Sequence, residues 1–364
     1  MEVKRILAES PFFSICIPQF NRTSFLIEAC KSLAAQTFKD FEVCISDDCS
    51  TDGREKEIVD FLDRANIDFF YRKNQKNVRY DANLRSSIEL ARGRYCFLLG
   101  NDDGLASPNV LENVHAAIEY SGPVGVVLTN YKSFSSGRQF HRVRAAGIAG
   151  RGPWVAARNY RNLSFVSGVL IQTQGAKKYA TNKWDGSEMY QMYIGCHILA
   201  EGAALLGIDE ITILEGIRLP GGQVDSYARR PVLVPCPIKE RKIPLVQMGR
   251  LVVDAIAPAV SSRERSRLAE MIFLQLLVFP YLFWVFEYRS VQSWNYAAGI
   301  CLGMRPRNLL QGVEIHLFRR MRLIVVYAVV SAVGLFVPVR WFRVAYPLLY
   351  SVAKTVFSGG EKKR

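Results

Sequence analysis

The chain has 364 residues, 49% of them hydrophobic, with 47 basic against 33 acidic side chains and a formal charge of +14. That apolar fraction fills a large core and excludes a disordered chain, while the length allows one large domain plus a second. The excess of positive charge points to an anionic partner: nucleic acid, a nucleotide-linked substrate or an acidic membrane surface.

The opening MEVKRILAESPFFS has too short an apolar core for a secretory signal, which predicts a cytoplasmic catalytic part. FSICIP (Phe13–Pro18) predicts a strand. From Ser24, SFLIEACKSLAAQ predicts a helix, with Leu26, Ile27, Cys30, Leu33 and Ala34 on one face. FEVCIS (Phe41–Ser46) is the next strand and ends at Asp47 and Asp48. GREKEIVDFLDRAN predicts a second helix, DFFYRK a third strand, NLRSSIELARG a third helix and YCFLLG a fourth strand. This rhythm predicts an α/β fold with a mostly parallel sheet, right-handed crossovers and flanking helices. VGVVLT (Val124–Thr129) and LSFVSGVLI (Leu163–Ile171) predict further strands.

Prolines 231, 235, 237 and 244 in RRPVLVPCPIKERKIP interrupt helix and strand alike. They divide the chain into a catalytic domain over 1–230 and a helical, basic and apolar region over 231–364. That second region holds two uncharged runs of 16 residues, Met271–Phe286 and Leu323–Pro338. Each is a little shorter than the roughly 20 apolar residues that span a bilayer. The second is preceded by RRMR and followed by Arg340 and Arg343, with Trp341, Phe342 and Tyr346 nearby, the pattern of a segment anchored at an anionic lipid surface. A buried helical hairpin is the alternative. The eight cysteines lack CxxC spacing and fit a reducing compartment. The four histidines lack ligand spacing, so zinc is not expected.

Polar residues gather where the strands end: PQFNR (Pro18–Arg22), DDCSTDG (Asp47–Gly53), RKNQKNVR (Arg72–Arg79) and NDD (Asn101–Asp103). In an open α/β sheet these ends share one rim, where ligands bind. A carboxylate there accepts from a base or ribose, Arg79 pairs with a phosphate, and the adjacent acids hold the cation that bridges a diphosphate. Neither G-x-x-x-x-G-K-[ST] nor G-x-G-x-x-G follows the first strand, which argues against kinases, ATPases and dinucleotide-dependent dehydrogenases. Arg138, His141, Arg142, Arg144, Arg151, Arg158 and Arg161 read as a basic surface, either solvated or facing an acceptor diphosphate or lipid headgroups.

The stretch FSICIPQFNRTSFLIEACKSLAAQTFKDFEVCISDDCSTDG resembles the opening of family 2 inverting glycosyltransferases of the GT-A (Rossmann-like) fold, especially those that build bacterial surface polysaccharides such as O-antigen. Its Pro-x-aromatic-Asn, QTF, DFE and DD-x-S-T-D-G elements carry the resemblance to about Asp103, and more loosely to about Tyr227. The resemblance implies that Pro18, Gln19, Phe20, Asn21 and Arg22 line the base and ribose, with Asp48 accepting from the base and Asn74 and Arg79 near the nucleotide. Asn101, Asp102 and Asp103 stand for the family's D-x-D, with Asp103 the ligand of Mn2+ or Mg2+ and Asp102 on the ribose or a metal-bound water. The general base matches the WDGSEMYQMYIG segment, as Glu188 or Asp185. Glu188 is favoured because partial burial in the apolar run that follows raises a carboxyl toward working pH. Ser167 and Gly168 match the turn beneath the acceptor site, and Gly221–Pro231 a mobile loop whose arginines close over the diphosphate.

The implied activity moves a sugar from a nucleotide-diphosphate donor to a lipid-linked glycan of undecaprenyl-diphosphate type, at the cytoplasmic face of the bacterial inner membrane. One rival keeps the fold, uses a soluble protein or glycan acceptor and turns the C-terminal helices into an oligomer interface. The other is a basic nucleic-acid-binding protein, for which the sequence offers neither stacking platform nor recognition helix.

Overall fold

The computed structural model of the chain describes residues 2–5, 10–219, 244–291 and 293–357. The expected boundary at 230/231, prolines 231, 235 and 237 and the Gly221–Pro231 loop lie outside them. The chain divides into two compact units, Met1–Ala156 with Tyr160–Gln223 and Ala157–Asn159 with Val224–Arg364.

In chain order the first part comprises β1 (Glu2–Arg5), β2 (Phe13–Gln19), α1 (Thr23–Ala34), β3 (Phe41–Asp47), α2 (Glu55–Arg64), β4 (Asp68–Lys73), α3 (Arg79–Leu90), β5 (Tyr95–Leu98), β6 (Gly104–Leu105) and α4 (Val110–Ser121). It continues with β7 (Val126–Ser133), β8 (Gln139–Phe140), β9 (Gly147–Arg151), α5 (Pro153–Asn159), β10 (Val169–Gln172), α6 (Thr173–Lys178), α7 (Tyr190–Ala200) and β11 (Ala204–Glu215). The sheet order is β1-β4-β3-β2-β5-β10-β7-β11-β6, with β8 on β7 and β9 on β11. Strands β4, β3, β2 and β5 run parallel, as their strand–helix rhythm implies. Beyond them β10 is antiparallel to both β5 and β7, so the sheet is mixed. The expected strand over Leu163–Ile171 is shorter, because a 3-10 turn over Tyr160–Leu163 and Gly168 at φ +75° delay its start to Val169.

Strands β2 and β3 are covered on both faces, and their mostly apolar text reflects it. Pro18 is tolerated in this central strand because the pairing with β5 ends at Cys16↔Leu98, while β3 alone continues alongside as far as Asp47. A core of Phe13, Ile15, Val43, Tyr71, Phe97 and Leu170, among others, lies under α1, α2 and α4. The seven described cysteines are free, and all but Cys49 are buried.

Glu42, the second acid of the DFE text, lies at the start of β3, at the edge opposite the strand ends discussed below. It is wholly buried and accepts from Ser14 Oγ at 2.6 Å, Arg92 N at 2.7 Å and Arg92 Nε at 2.8 Å. The motif's acid therefore stitches β2, β3 and the α3–β5 turn together.

The second unit is helical: α8 (Pro244–Ile256), α9 (Ser262–Leu276), α10 (Leu282–Val291), α11 (Trp294–Gly303), α12 (Pro306–Leu309), α13 (Leu317–Phe336) and α14 (Val339–Phe357). A π-helical turn over Leu277–Tyr281 accommodates Pro280 and joins α9 to α10. The first uncharged run lies here, and Ser262–Val291 is long and apolar enough to cross a membrane, with 61% of its most apolar window buried within the protein. Buried core helices pass the same length test. The second run forms α13, which carries an exposed stripe at Leu317, Phe318, Met321, Ile324, Val325, Val329, Val333 and Phe336. Phe283 and Phe286 of α10 pack with Phe342 of α14.

Removing a buried ion-paired acid strands its partner, so Glu42→Ala is expected to cost about 3 kcal/mol. Chemical denaturation of variant and parent measures it, and a loss below about 1 kcal/mol contradicts the stitching role.

Candidate functional site

The carboxyl ends of β2, β3, β4 and β5 share one rim because these strands run parallel. Gln19 ends β2 and is fully buried. Its side chain donates to the Asn21 carbonyl and accepts from Asn101 Nδ2 at 2.6 Å; its carbonyl accepts from Asp48 N at 2.8 Å and Asn83 Nδ2 at 3.0 Å. One residue thus fixes the ends of three strands. Pro18 precedes it half-buried, and Phe20 follows with 45% of its surface exposed. Asn21 N–H donates to Ser50 Oγ at 2.7 Å and its Oδ1 accepts from Thr51 N at 2.8 Å, joining the PQFNR and DDCSTDG loops.

Six non-glycine residues have left-handed φ among the described residues, and five of them (Asn21, Arg22, Cys49, Arg79 and Glu188) belong to loops that carry candidate site residues. Such conformations cost about 1 kcal/mol or more each and persist where surrounding contacts enforce them. Asp48 is one enforcing group. It is buried, and its two oxygens accept from Val78 N at 2.6 Å and Arg79 N at 2.9 Å, with Asn74 Nδ2 at 3.5 Å. Its visible task is to hold the 74–79 loop at the start of α3, with the Arg79 side chain left exposed.

The acidic turn after β5 is held on every side. Asp103 is 4% exposed and accepts from the Ser167 hydroxyl and from Gly216 N at 2.8 Å. Asp102 Oδ2 pairs with Arg22 NH1 at 2.6 Å, and the Asp102 carbonyl accepts from Ile217 N at 2.8 Å. Burial first, then the charge of Asp102, pushes the Asp103 carboxyl up to about 7 against the two hydrogen bonds, and Glu215 adds to the rise. Burial and Asp102 raise Glu215 as well. Three acids at the edge of a low-dielectric interior repel one another, and a cation relieves that repulsion. Asp102 and Asp103 offer the hard oxygen donors that Mg2+ and Mn2+ prefer. No group of three or more His, Cys, Asp or Glu able to hold a metal occurs among the described residues. Mg2+ sites completed by substrate phosphates need only one or two carboxylates, so the residues present fit such an ion.

Four of the expected site residues have surroundings that the sequence did not foretell. Ser167 is fully buried, donates to Asp103 and accepts from Gly100 N at 2.8 Å, which makes it a support for the acidic turn. Gly168 is buried too, and a Cβ there would meet Thr129 Oγ1 at 2.4 Å, so the close approach is made by the protein's own side chains rather than by substrate. Asp185 is held in a two-pronged pair with Arg85, at 2.7 and 2.8 Å, which occupies both of its oxygens. Glu188 is exposed, so the partial burial on which its choice rested is absent. In addition, Arg142 is not part of a solvated basic surface. Its guanidinium donates to the carbonyls of Thr129 at 2.8 Å, Phe165 at 2.8 Å and Ser167 at 2.7 Å, and burial pushes it down to about 10.

Sequence reasoning missed Asp81, Glu215 and the positioning role of Arg142. Asp81, on the first turn of α3, is buried and accepts from the backbone N–H of Gly186 at 2.8 Å, Glu188 at 2.9 Å and Tyr190 at 3.0 Å. Burial raises its pKa against those three bonds. It caps α7 from another helix and holds Glu188 at φ 60°. Tyr80 adds a bond from its hydroxyl to Gln191 Oε1 at 3.2 Å, so the Glu188 segment is tied to the helix that starts at Arg79. Asp81 lies in an ordinary helical text, YDANL, with nothing local to mark it.

The Asp103 shift has a stability consequence whose sign is fixed. The folded chain keeps a proton there that the unfolded chain releases near pH 4, so this group's stabilising contribution is complete below that pH and is lost as pH rises through about 7. Asp103→Asn removes the loss. Between about pH 5 and about pH 8, the fall in unfolding free energy is expected to shrink by roughly 2 kcal/mol in the variant, measured by urea denaturation. An unchanged fall contradicts the assignment.

Residues 14–180 match the family model described as Glycosyl transferase family 2. Abequosyltransferase RfbV of Salmonella typhimurium is 41% identical over 99 residues, 27% of this chain and 30% of that protein. The GalNAc(5)-diNAcBac-PP-undecaprenol beta-1,3-glucosyltransferase of Campylobacter jejuni is 36% identical over 99 residues, 27% and 31% of the two chains. The matches therefore span under a third of the length of these curated relatives. The crystal structure of S. aureus TarS 1–349 superposes with a TM-score of 0.61 at 15% identity, covering 97% of this chain and 93% of that one, and so shares the fold, a GT-A-like mixed sheet flanked by helices. From the strand ends, the acidic turn and these matches together, residues 14–180 form a glycosyl transferase family 2 domain, similar over 99 residues to each of the two curated transferases.

Proposed function

We propose that the chain is an inverting, divalent-cation-dependent glycosyltransferase. In this reading it moves a sugar from a nucleotide-diphosphate donor to a lipid-linked glycan at the cytoplasmic face of the bacterial inner membrane, during surface-polysaccharide assembly. The single observation that carries it is the acidic turn: Asp102 and Asp103, held rigidly at the rim where β2, β3 and β4 also end. TarS has been crystallised with UDP and with UDP-GlcNAc, and the name of the Campylobacter relative includes PP-undecaprenol. The exposed apolar stripe of α13 supports contact with lipid.

On this reading Pro18, Gln19, Phe20, Asn21, Arg22 and Asn101 form the wall against base and ribose. Asp48 and Asn74 shape the loop that presents Arg79 to a phosphate. Asp103, with Asp102 beside it, would hold Mn2+ or Mg2+, which when bound offsets the negative charge of the departing diphosphate. Glu188 is the base, since Asp185 is committed to Arg85 whereas the Glu188 side chain is exposed and its backbone is fixed by Asp81. Its carboxylate takes the acceptor hydroxyl's proton as that oxygen bonds to the anomeric carbon. The bond from that carbon to the diphosphate breaks, and the nucleotide leaves with the electron pair on the face opposite the attack.

A screen of nucleotide sugars for released nucleoside diphosphate identifies the donor. With that donor, Asp103→Ala is expected to abolish transfer in a folded protein, and a chelator to do the same; turnover that survives chelation overturns the metal role. Glu188→Gln is expected to lower kcat about a hundredfold or more with little change in KM, and Asp185→Asn to stay within about tenfold of the parent. The reverse ranking would exchange their roles.

A further inference from the structure

The helical unit contains a cavity of about 900 Å³ whose lining includes five arginines and a single acid, Glu314. Arg263, Ser266 and Arg267 line it from the first turns of α9; Arg319 and Arg320 line it from the first turn of α13. Arg319 is already paired with the buried Glu270, to which Arg322 also reaches at 3.3 Å. Arg263, Arg267 and Arg320 are exposed and have no ion-pair or hydrogen-bond partner for their side chains among the described residues. Unpaired guanidinium groups converging on one concavity are uncommon without an anion to meet them, because they repel one another.

Two further observations point to a ligand. Ser266 is one of the residues lining the same cavity; it is 8% exposed, and its hydroxyl, itself buried, has no hydrogen-bond partner among the described residues. A buried hydroxyl without a partner costs free energy that a bound acceptor returns. The N-termini of two long helices, 15 and 20 residues, also open onto the cavity. His316 caps α13 with no side-chain bond, leaving the first-turn N–H groups of that helix without a side-chain acceptor.

The location selects among anions. The turn that supplies Arg319 and Arg320 begins the apolar stripe of α13, where Leu317 and Phe318 are 64% and 76% exposed. Successive stripe residues at i, i+4 and i+7 keep to one side of the helix, so an arginine-lined cavity opens where an unpartnered apolar face begins. Lipids with phosphorylated headgroups have that same order of chemistry, charge and then hydrocarbon. We infer that this cavity is a binding site for the diphosphate headgroup of a membrane lipid, the part of a lipid-linked acceptor that a transferase must hold while a distant sugar reacts. Three unpaired arginines match the oxygens of two phosphoryl groups better than those of one. The inference rests on the lipid-linked acceptor proposed above and adds where the acceptor's anchor is held.

The test uses the full chain and no donor. Sedimentation with phosphatidylcholine vesicles doped with a polyprenyl diphosphate is compared with vesicles doped to equal charge with phosphatidylglycerol, and inorganic pyrophosphate is titrated separately by calorimetry. The parent is expected to bind the diphosphate vesicles about tenfold tighter than the charge-matched ones. Arg263→Gln/Arg267→Gln is expected to erase that preference while donor hydrolysis stays unchanged. Equal binding to both vesicle types, or a preference that survives the double variant, overturns the site. Pyrophosphate binding as tight as that of the doped vesicles overturns the lipid source. Lost vesicle preference with intact transfer to a diphosphate-linked glycan removes this site and leaves the proposed function standing, whereas intact preference without transfer does the opposite.

Discussion

A buried carboxylate held by two hydrogen bonds, Asp103 between the Ser167 hydroxyl and Gly216 N–H, is the contact on which the rim depends. It joins three strands distant in sequence: the acid follows β5, the serine precedes β10 and the glycine follows β11. Because β10 lies between β5 and β7 and runs against both, the turn before it opens on the rim where β5 ends. The antiparallel insertion is thus what brings a hydroxyl beneath the acid. Arg142 braces the same turn through the Ser167 carbonyl. An acid buried and fixed this way cannot swing aside to escape Asp102, so burial first and then that neighbouring charge raise its pKa.

The same device recurs twice. Asp48 gathers the N–H groups of Val78 and Arg79, and Asp81 those of Gly186, Glu188 and Tyr190. In each case a short, rigid side chain replaces the hydrogen bonds that an irregular loop cannot make for itself, and in each case the loop carries a residue at positive φ. The two acids lie at opposite ends of one connection: Asp48 fixes where α3 begins, and Asp81, on its first turn, fixes where the Glu188 segment docks. Moving α3 would shift Arg79 and Glu188 together, so on the proposed reading phosphate contact and proton acceptance are geometrically linked.

The sequence made the parallel half of the fold legible, because Phe13–Pro18, Phe41–Ser46 and Tyr95–Gly100 are mostly apolar and end in polar text. It also exposed the residues of the rim, since Gln19, Asp48, Asn101 and Asp103 follow strands directly. Their division of labour was not legible. Whether an acid faces a ligand or a backbone N–H depends on contacts 30 or more residues away, as with Asp48 and Arg79, separated by 31. Glu188 and Asp185 are indistinguishable by spacing, and only the position of Arg85 across the fold separates them. Arg142 looked like surface because basic residues surround it in the text; its burial comes from carbonyls contributed by Thr129, Phe165 and Ser167.

The two uncharged runs near the C-terminus show the same limit from the other direction. Equal in length and alike in carrying no charge, they have opposite surroundings: Met271–Phe286 is largely covered by neighbouring helices, while α13 leaves Val325 and Val329 more than half exposed. What distinguishes them is pairing. Tyr281 of the first run bonds Ser331 of the second at 2.7 Å, and Gly334 packs so closely on Val285 that a Cβ there would meet it at 2.6 Å. One side of α13 therefore covers the first run. Its other side faces outward with valine, isoleucine and phenylalanine and no charge between Leu323 and Pro338. Water does not stabilise such a face, whereas lipid does so without any change in the helix, and the arginines at 319, 320 and 322 set the depth at which it would lie.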